Sequence, residues 1–226
     1  MSSPVTLDGP SAAPASGGPP RQLIILLHGV GADGEDLIGL APYIAEGLPD
    51  ALILSPDAPF PCDMAPMGRQ WFSLLDRSGA ALSAGVRAVA PILETYIDRR
   101  LAEAGLDDSA LALVGFSQGT MLALEVALRR PKPCAGLVGF SGALIEPERL
   151  PAEIRAKPRT LLVHGDADEV VNPACLPAAE AALATVGVPV LTKMRAGLGH
   201  SIDGPGLAMA IAFLRHCFGL ESGETS

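Results

Sequence analysis

The stretch that most limits what this chain can fold into is Val114-Gly115-Phe116-Ser117-Gln118-Gly119-Thr120. An apolar run, Leu111 to Val114, leads into it and predicts a parallel strand buried on both faces. A helical pattern, Thr120 to Arg130, leads out and ends before Pro131. Ser117 is therefore expected on a sharp turn between strand and helix, with its oxygen projecting over the sheet edge. Gly115 and Gly119 flank the turn, where a Cβ would crowd the backbone. In that context G-x-S-x-G predicts a nucleophile elbow. The competing reading is an ordinary glycine-rich turn whose serine only caps the helix.

Strands and helices alternate along the rest of the chain. The apolar run Gln22 to Leu27 predicts a first strand, Ala51 to Leu54 a second, Ala135 to Phe140 and Thr160 to His164 two more, and Val188 to Thr192 the last. Helices are expected over Asp36 to Ala45, with Pro42 awkward inside it, over Ser83 to Ala104, Pro173 to Thr185 and Pro205 to Phe218. The alternation predicts an α/β fold, a mostly parallel sheet covered by helices on both faces. Functional groups should then gather at the carboxyl ends of the strands. The 226 residues, 49% of them hydrophobic, suffice for one domain, expected over residues 21–220. Residues 1–20 lack the basic and apolar regions of a signal peptide. Their Ser, Ala, Gly and Pro content predicts a flexible tail, as does the composition of residues 221–226.

A net charge of −9 argues against nucleic acid as a partner and against stable docking on an anionic membrane. No apolar run reaches the roughly 18 residues of a membrane span. Cys62, Cys134, Cys175 and Cys217 form no C-x-x-C pair and suit a reducing compartment, so a cytoplasmic location is expected.

The loop after the first strand, Gly29-Val30-Gly31-Ala32-Asp33-Gly34, matches G-x-G-x-x-G, and Asp57 follows the next strand as a dinucleotide site would require. Charge opposes that reading. Asp33, Glu35 and Asp36 crowd the helix end where a pyrophosphate would sit. The same glycines suit another task, bringing the Val30 N–H close to an oxyanion, with the Gln118 N–H as the second donor.

A serine nucleophile needs a base. Of the four histidines, His28 and His164 end strands, and His216 lies inside the last helix. His200, in a glycine-flanked loop just before that helix, is the best placed. Asp166, Asp168 and Glu169 all lie between Ser117 and His200, and Asp168 is favoured because it sits farther from the strand end. The order Ser, Asp, His is that of an α/β-hydrolase.

At this point the chain resembles the small carboxylesterase and acyl-protein thioesterase family of α/β-hydrolases, also called the phospholipase/carboxylesterase family. The matching pieces are Leu27 to Gly34, Ser55 to Pro59, Trp71-Phe72, Gly115 to Gly119, His164 to Val171, and Gly199-His200. The resemblance implies an α/β-hydrolase fold without a large cap domain. It also implies Ser117 as nucleophile, Asp168 rather than Asp166 as acid, His200 as base, and Val30 and Gln118 as oxyanion donors. Two departures bear on substrate preference: Ser73 stands where the family often has aspartate, and Asn172 where it often has proline.

No cofactor and no metal are expected, and the expected partner is a small ester or thioester. The oligomeric state, a homodimer included, is left open. Residues 61–79 form a long segment, and such segments tend to be functional. Phe60, Met64, Met67, Trp71 and Leu144 are expected to line the acyl or alcohol site, with core packing as the alternative for each.

Overall fold

A computed structural model describes residues 6–220. In chain order its elements are β1 (Ser11–Ala12), β2 (Gln22–Leu27), α1 (Gly34–Ile38), α2 (Ala41–Gly47), β3 (Ala51–Leu54), β4 (Phe60–Pro61), β5 (Arg69–Gln70), α3 (Gly79–Ala104), β6 (Leu111–Phe116), α4 (Gln118–Ala127), β7 (Gly136–Phe140), α5 (Leu150–Glu153), β8 (Arg159–Gly165), α6 (Cys175–Thr185), β9 (Val190–Arg195) and α7 (Gly204–Cys217). Seven strands form one sheet in the order β1-β3-β2-β6-β7-β8-β9. All neighbours are parallel except β1, which pairs antiparallel with β3. β4 and β5 make a separate two-stranded hairpin.

The central strands are apolar on both faces because both faces are covered. Leu23, Ile25 and Leu27 of β2 point into one core, with Val86, Leu93 and Ile97 of α3 and Leu122 of α4. Ile24 and Leu26 point into the other, with Ile44 of α2 and Leu214 of α7. Every one of these side chains is essentially buried. Each contributes about 1.5–3 kcal/mol relative to exposure, before the entropy of ordering it is subtracted. Ser78 caps α3 by accepting the Ala81 N–H, and Gly105, at φ 67°, ends it in the left-handed conformation.

The expected α/β-hydrolase architecture is present, and among the described residues no helical domain covers the strand ends. Two local expectations are corrected. The helix foreseen over 36–45 is two helices, broken at Gly39-Leu40. Pro42 sits in the first turn of α2, where its missing N–H costs nothing. The N-terminal segment is not a flexible tail over residues 6–20. Leu7 is buried in the core, and the Ser55 and Asp57 amides donate to the Pro10 and Asp8 carbonyls at 3.0 and 2.8 Å. Its composition suggested disorder, but the open edge of β3 supplies backbone partners, and the short β1 closes that edge. Residues 1–5 and 221–226, the rest of the two expected tails, lie outside the described residues.

Candidate active site

Ser117 joins β6 to α4 at φ 53° and ψ −116°, a conformation that a side-chain-bearing residue adopts only under constraint. Its N–H donates to the Phe140 carbonyl at 2.9 Å, anchoring the turn to β7. Glycine is required on both sides. A Cβ at Gly115 would fall 2.5 Å from the Thr120 nitrogen, and one at Gly119 would fall 1.9 Å from the Leu27 oxygen. The Ser117 hydroxyl makes no capping bond to α4, so the reading of Ser117 as a helix cap does not hold.

The loop after β2 lies against this turn. A Cβ at Gly29 would meet the Phe116 ring at 3.1 Å and the Ser117 Cβ at 3.3 Å. His28, fully buried, fixes the start of the loop. Its Nδ1 donates to the Gly29 carbonyl at 2.7 Å, and its Nε2 accepts the Ala58 N–H at 3.0 Å. Nε2 can accept only when unprotonated, which assigns the neutral Nδ1–H tautomer. Burial pushes the His28 pKa down, in the same sense. Farther along, the Gly31 N–H donates to the Arg69 carbonyl and the Arg69 N–H to the Ala32 carbonyl, each at 2.8 Å.

The amides that a pyrophosphate would need are taken. Gly31 N–H serves Arg69, Gly34 N–H serves the Asp57 carboxylate at 2.8 Å, and Glu35 N–H serves the Asp33 carboxylate at 3.1 Å. Asp57, which mimicked a ribose-binding acid in the sequence, braces this loop instead. Val30 N–H has no partner among the described residues, and Gln118 N–H is the first amide of α4, which the helix itself cannot satisfy.

Asp168 and His200 reach the site from the loops after β8 and β9. His200 Nδ1 lies 2.8 Å from Asp168 Oδ2. Asp168 Oδ1 accepts the Val170 and Val171 N–H groups at 2.8 and 2.9 Å. Burial of this carboxyl would raise its pKa, but the bonds from His200, Val171 and Val170 outweigh burial and hold it below the ordinary value. Asp166 is exposed and accepts the Gly197 N–H at 2.7 Å, so it pins the loop that carries His200 rather than touching the imidazole. Gly165 lets that loop approach, since a Cβ there would fall 2.0 Å from the Leu198 oxygen. Arg195 and Asp203 clamp the loop's two ends at 2.7 Å. The His200 ring packs on Phe116, the neighbour of Ser117, with centroids 4.8 Å apart.

Beside Ser117 lies a groove of about 330 Å³, lined by Val30, Gln118, Met64, Leu74, Leu82, Met121, Ile145, Val170, Val171, Asn172 and Cys175 and edged by Arg77. Of the residues expected there, only Met64 lines it. Trp71 is completely buried, with Nε1 donating to the His28 carbonyl at 2.9 Å and its N–H donating to Gln118 Oε1 at 2.8 Å. Together with Gln118 Nε2, which donates to the Phe72 carbonyl at 2.7 Å, it ties the long loop to the Ser117 turn. It is a core anchor, because a large ring with one polar handle satisfies both needs there. Phe60 lines a different depression with Phe72 and Asp63. Met67 is 80% exposed on the hairpin, and Leu144 packs against the core. Sequence reasoning missed Met121, although it lies one helical turn beyond Ser117, and Val170 and Val171, although they adjoin Asp168.

Comparison with known proteins agrees with this fold. The profile described as Phospholipase/Carboxylesterase matches residues 11–218. The chain belongs to the phospholipase/carboxylesterase family. Esterase YpfH of Escherichia coli (strain K12) is 31% identical over 198 residues, which cover 88% of this chain and 84% of that protein. Acyl-protein thioesterase 1 of Saccharomyces cerevisiae (strain ATCC 204508 / S288c) is 30% identical over 170 residues, covering 68% and 73% respectively. The crystal structure of esterase PE8 superposes with a TM-score of 0.90 at 40% identity, covering 94% of this chain and 100% of that one. The family is one of carboxylesterase- and thioesterase-type hydrolases. Among the described residues, no helix is long and apolar enough to cross a membrane.

Proposed function

We propose that the protein is a serine carboxylic-ester hydrolase that cleaves small to medium acyl esters or thioesters through an acyl-Ser117 intermediate. The observation that carries this reading is the strained Ser117 turn, its hydroxyl unspent on capping, with the His200 imidazole, bonded through Nδ1 to Asp168, packed on the ring of the preceding residue Phe116. With Nδ1 engaged, Nε2 is the nitrogen left to act as base.

His200 Nε2 takes the Ser117 proton as the oxygen attacks the carbonyl carbon. Asp168 holds the imidazole in the required tautomer and stabilises the imidazolium. The N–H groups of Val30 and Gln118 receive the oxyanion. His200 then returns the proton to the leaving alcohol or thiol, and the acyl group stays on Ser117. A water that gives its proton to His200 attacks the acyl carbon; the Ser117–acyl bond then breaks as His200 returns that proton to the Ser117 oxygen, and the carboxylic acid leaves. These steps require no cofactor and no metal. The apolar groove suits the acyl chain, and its volume is at the small end for a ligand site.

The substrate is then a small molecule, with no nucleic acid partner and no stable membrane insertion. The four free cysteines support a cytoplasmic setting. Turnover of p-nitrophenyl esters by Ser117→Ala tests the reading. Turnover should fall at least ~10⁴-fold, leaving only what binding and the oxyanion donors supply. A variant with near-normal turnover sinks it.

A further inference from the structure

We infer that Arg69 is a positioning residue for the Val30 N–H, holding the oxyanion loop in place through the β4–β5 hairpin; this rests on the serine-hydrolase reading above. The loop after β2 turns sharply at Gly29-Val30-Gly31-Ala32. The Ala32 N–H donates back to the Gly29 carbonyl at 3.3 Å, and Gly31 sits at φ 83°. A positive φ at the third position is that of a type II turn, which favours glycine there. Val30, at the second position, has one fixed neighbour on each side. Gly29 is held by the His28 Nδ1–H, which donates to its carbonyl at 2.7 Å. Gly31 is held from outside the loop: its N–H donates to the Arg69 carbonyl, while the Arg69 N–H donates to the Ala32 carbonyl, each at 2.8 Å.

The Arg69 backbone is a firm support because its own side chain fixes it. Arg69 Nε donates to the Ala58 carbonyl and Nη2 to the Pro59 carbonyl, the latter at 3.1 Å, which closes the hairpin at its base. The Ala58 N–H donates to His28 Nε2 at 3.0 Å, so the supports on both sides of Val30 lead back to the same segment after β3. Gly68, at φ 82°, lets the hairpin come this close, since a Cβ there would fall 2.0 Å from the Gly31 oxygen. An oxyanion donor must lie within hydrogen-bond distance of the place where charge develops, so a small displacement removes its effect. Without the guanidinium the hairpin shifts on its base. Gly31, which accepts either sign of φ, is then released, and the Val30 N–H moves off the oxyanion.

A plain structural role is distinguishable. Arg69 does not line the groove, but Met64 of the same hairpin does, so a hairpin that merely slackens would damage substrate binding. Displacement of Val30 instead lowers kcat, together with affinity for an inhibitor whose adduct carries the oxyanion. The test measures kcat and KM on p-nitrophenyl butyrate, Ki of an alkyl trifluoromethyl ketone and melting temperature. The proteins are wild type, Arg69→Met, Arg69→Lys and Gly68→Ala, with Ser117→Ala alongside. In Arg69→Met, kcat is expected to fall about 10-fold or more with KM within about twofold, and Ki should rise by the factor that kcat/KM loses. Lys keeps a charged donor for the two carbonyls and should recover at least about threefold. Gly68→Ala parts the hairpin from the loop with the guanidinium intact. It should lose at least as much as Arg69→Met, and it carries the test where Arg69→Met fails to fold. Wild-type kcat in Arg69→Met or Gly68→Ala, an unchanged Ki where kcat has fallen, a KM that rises in step with the lost kcat, or no advantage of Lys over Met overturns the inference. If Ser117→Ala keeps its turnover, the hydrolase reading falls instead.

Discussion

Two sets of loops meet at the same sheet edge and are held in opposite ways. The loops after β6, β8 and β9 carry Ser117, Asp168 and His200, and backbone amides and glycine contacts fix them to within a narrow range. The Gly115, Gly119 and Gly165 positions leave no room for a Cβ, and Asp168 has no exposed side-chain surface. The segment between β3 and α3 is fixed only in part. Trp71 and Gln70 are buried, while Met67 and Leu75 are 80% and 72% exposed. Close packing at the strand ends suits proton transfer, which tolerates little displacement. From that segment Met64 and Leu74 line the groove, and flexible apolar side chains of this kind suit a binding surface that can accept varied groups.

The acid loop should break hardest. Asp168→Asn is expected to cost on the order of 10³–10⁴ in kcat, since the imidazole loses the partner that sets its tautomer. Asp166→Asn, which disturbs only the bond to Gly197, should cost far less. Steady-state kinetics on both variants checks the ranking, and the reverse order would transfer the acid role to Asp166.

Trp71 sits at the boundary between the two regions, and its removal tests which side it belongs to. As a buried anchor it predicts a loss of about 3–5 kcal/mol on Trp71→Ala. Turnover should drop for acetyl and longer esters alike, because the His28 carbonyl loses its Nε1–H donor and the loop loses the buried ring that holds it against the Ser117 turn. A loss confined to longer esters at unchanged melting temperature would return Trp71 to the groove.

The groove wall should give a smaller and more selective effect. Wild-type kcat/KM is expected to rise with acyl length over the first carbons by up to ~4-fold per carbon, the worth of about 0.8 kcal/mol per buried methylene. Ile145→Trp, which fills the groove, should flatten that rise and leave acetyl esters much less affected. Met67→Ala, on the exposed hairpin, should leave the profile unchanged. A flattened profile in the Met67 variant would show that the hairpin folds over the substrate.

The mildest effect concerns pH. The folded chain holds His28 below its ordinary 6.5, so below that pH the unfolded chain takes up a proton that the folded chain refuses. Stability tied to neutral His28 is complete above 6.5 and is lost as pH falls through its folded value. Asp168, held below 3.8, keeps its contribution down to that pH and loses it beneath. Thermal melts taken downward from about pH 8 should show a decline beginning near 6.5 that is shallower in His28→Gln. Equal declines would place the titrating group elsewhere.

The Ser117 turn was legible in the sequence because it is written in backbone constraints. Glycines at 115 and 119, an apolar run before them and a helix after them specify the turn without knowledge of the rest. The order of Ser117, Asp168 and His200 follows from the fold class and from family resemblance. The groove was not legible, because its wall is assembled from α3, α4 and the loops after β7 and β8, which come together only in three dimensions. An apolar side chain such as Trp71 or Leu144 looks the same in sequence whether it faces the core or a substrate. The role of Asp57 was hidden for a related reason: its partner, the Gly34 N–H, lies 23 residues away. The edge contacts of residues 7–12 were hidden because their backbone partners on β3 and the residues after it carry no side-chain signature.

The central claim is that acyl transfer passes through Ser117. Intact-protein and peptide mass spectrometry after treatment with a fluorophosphonate tests it directly. The account predicts one adduct per chain, located on Ser117, absent from Ser117→Ala and formed far more slowly in a His200→Ala variant. An adduct on any other residue of the active wild-type protein, or labelling that survives in Ser117→Ala, would contradict it.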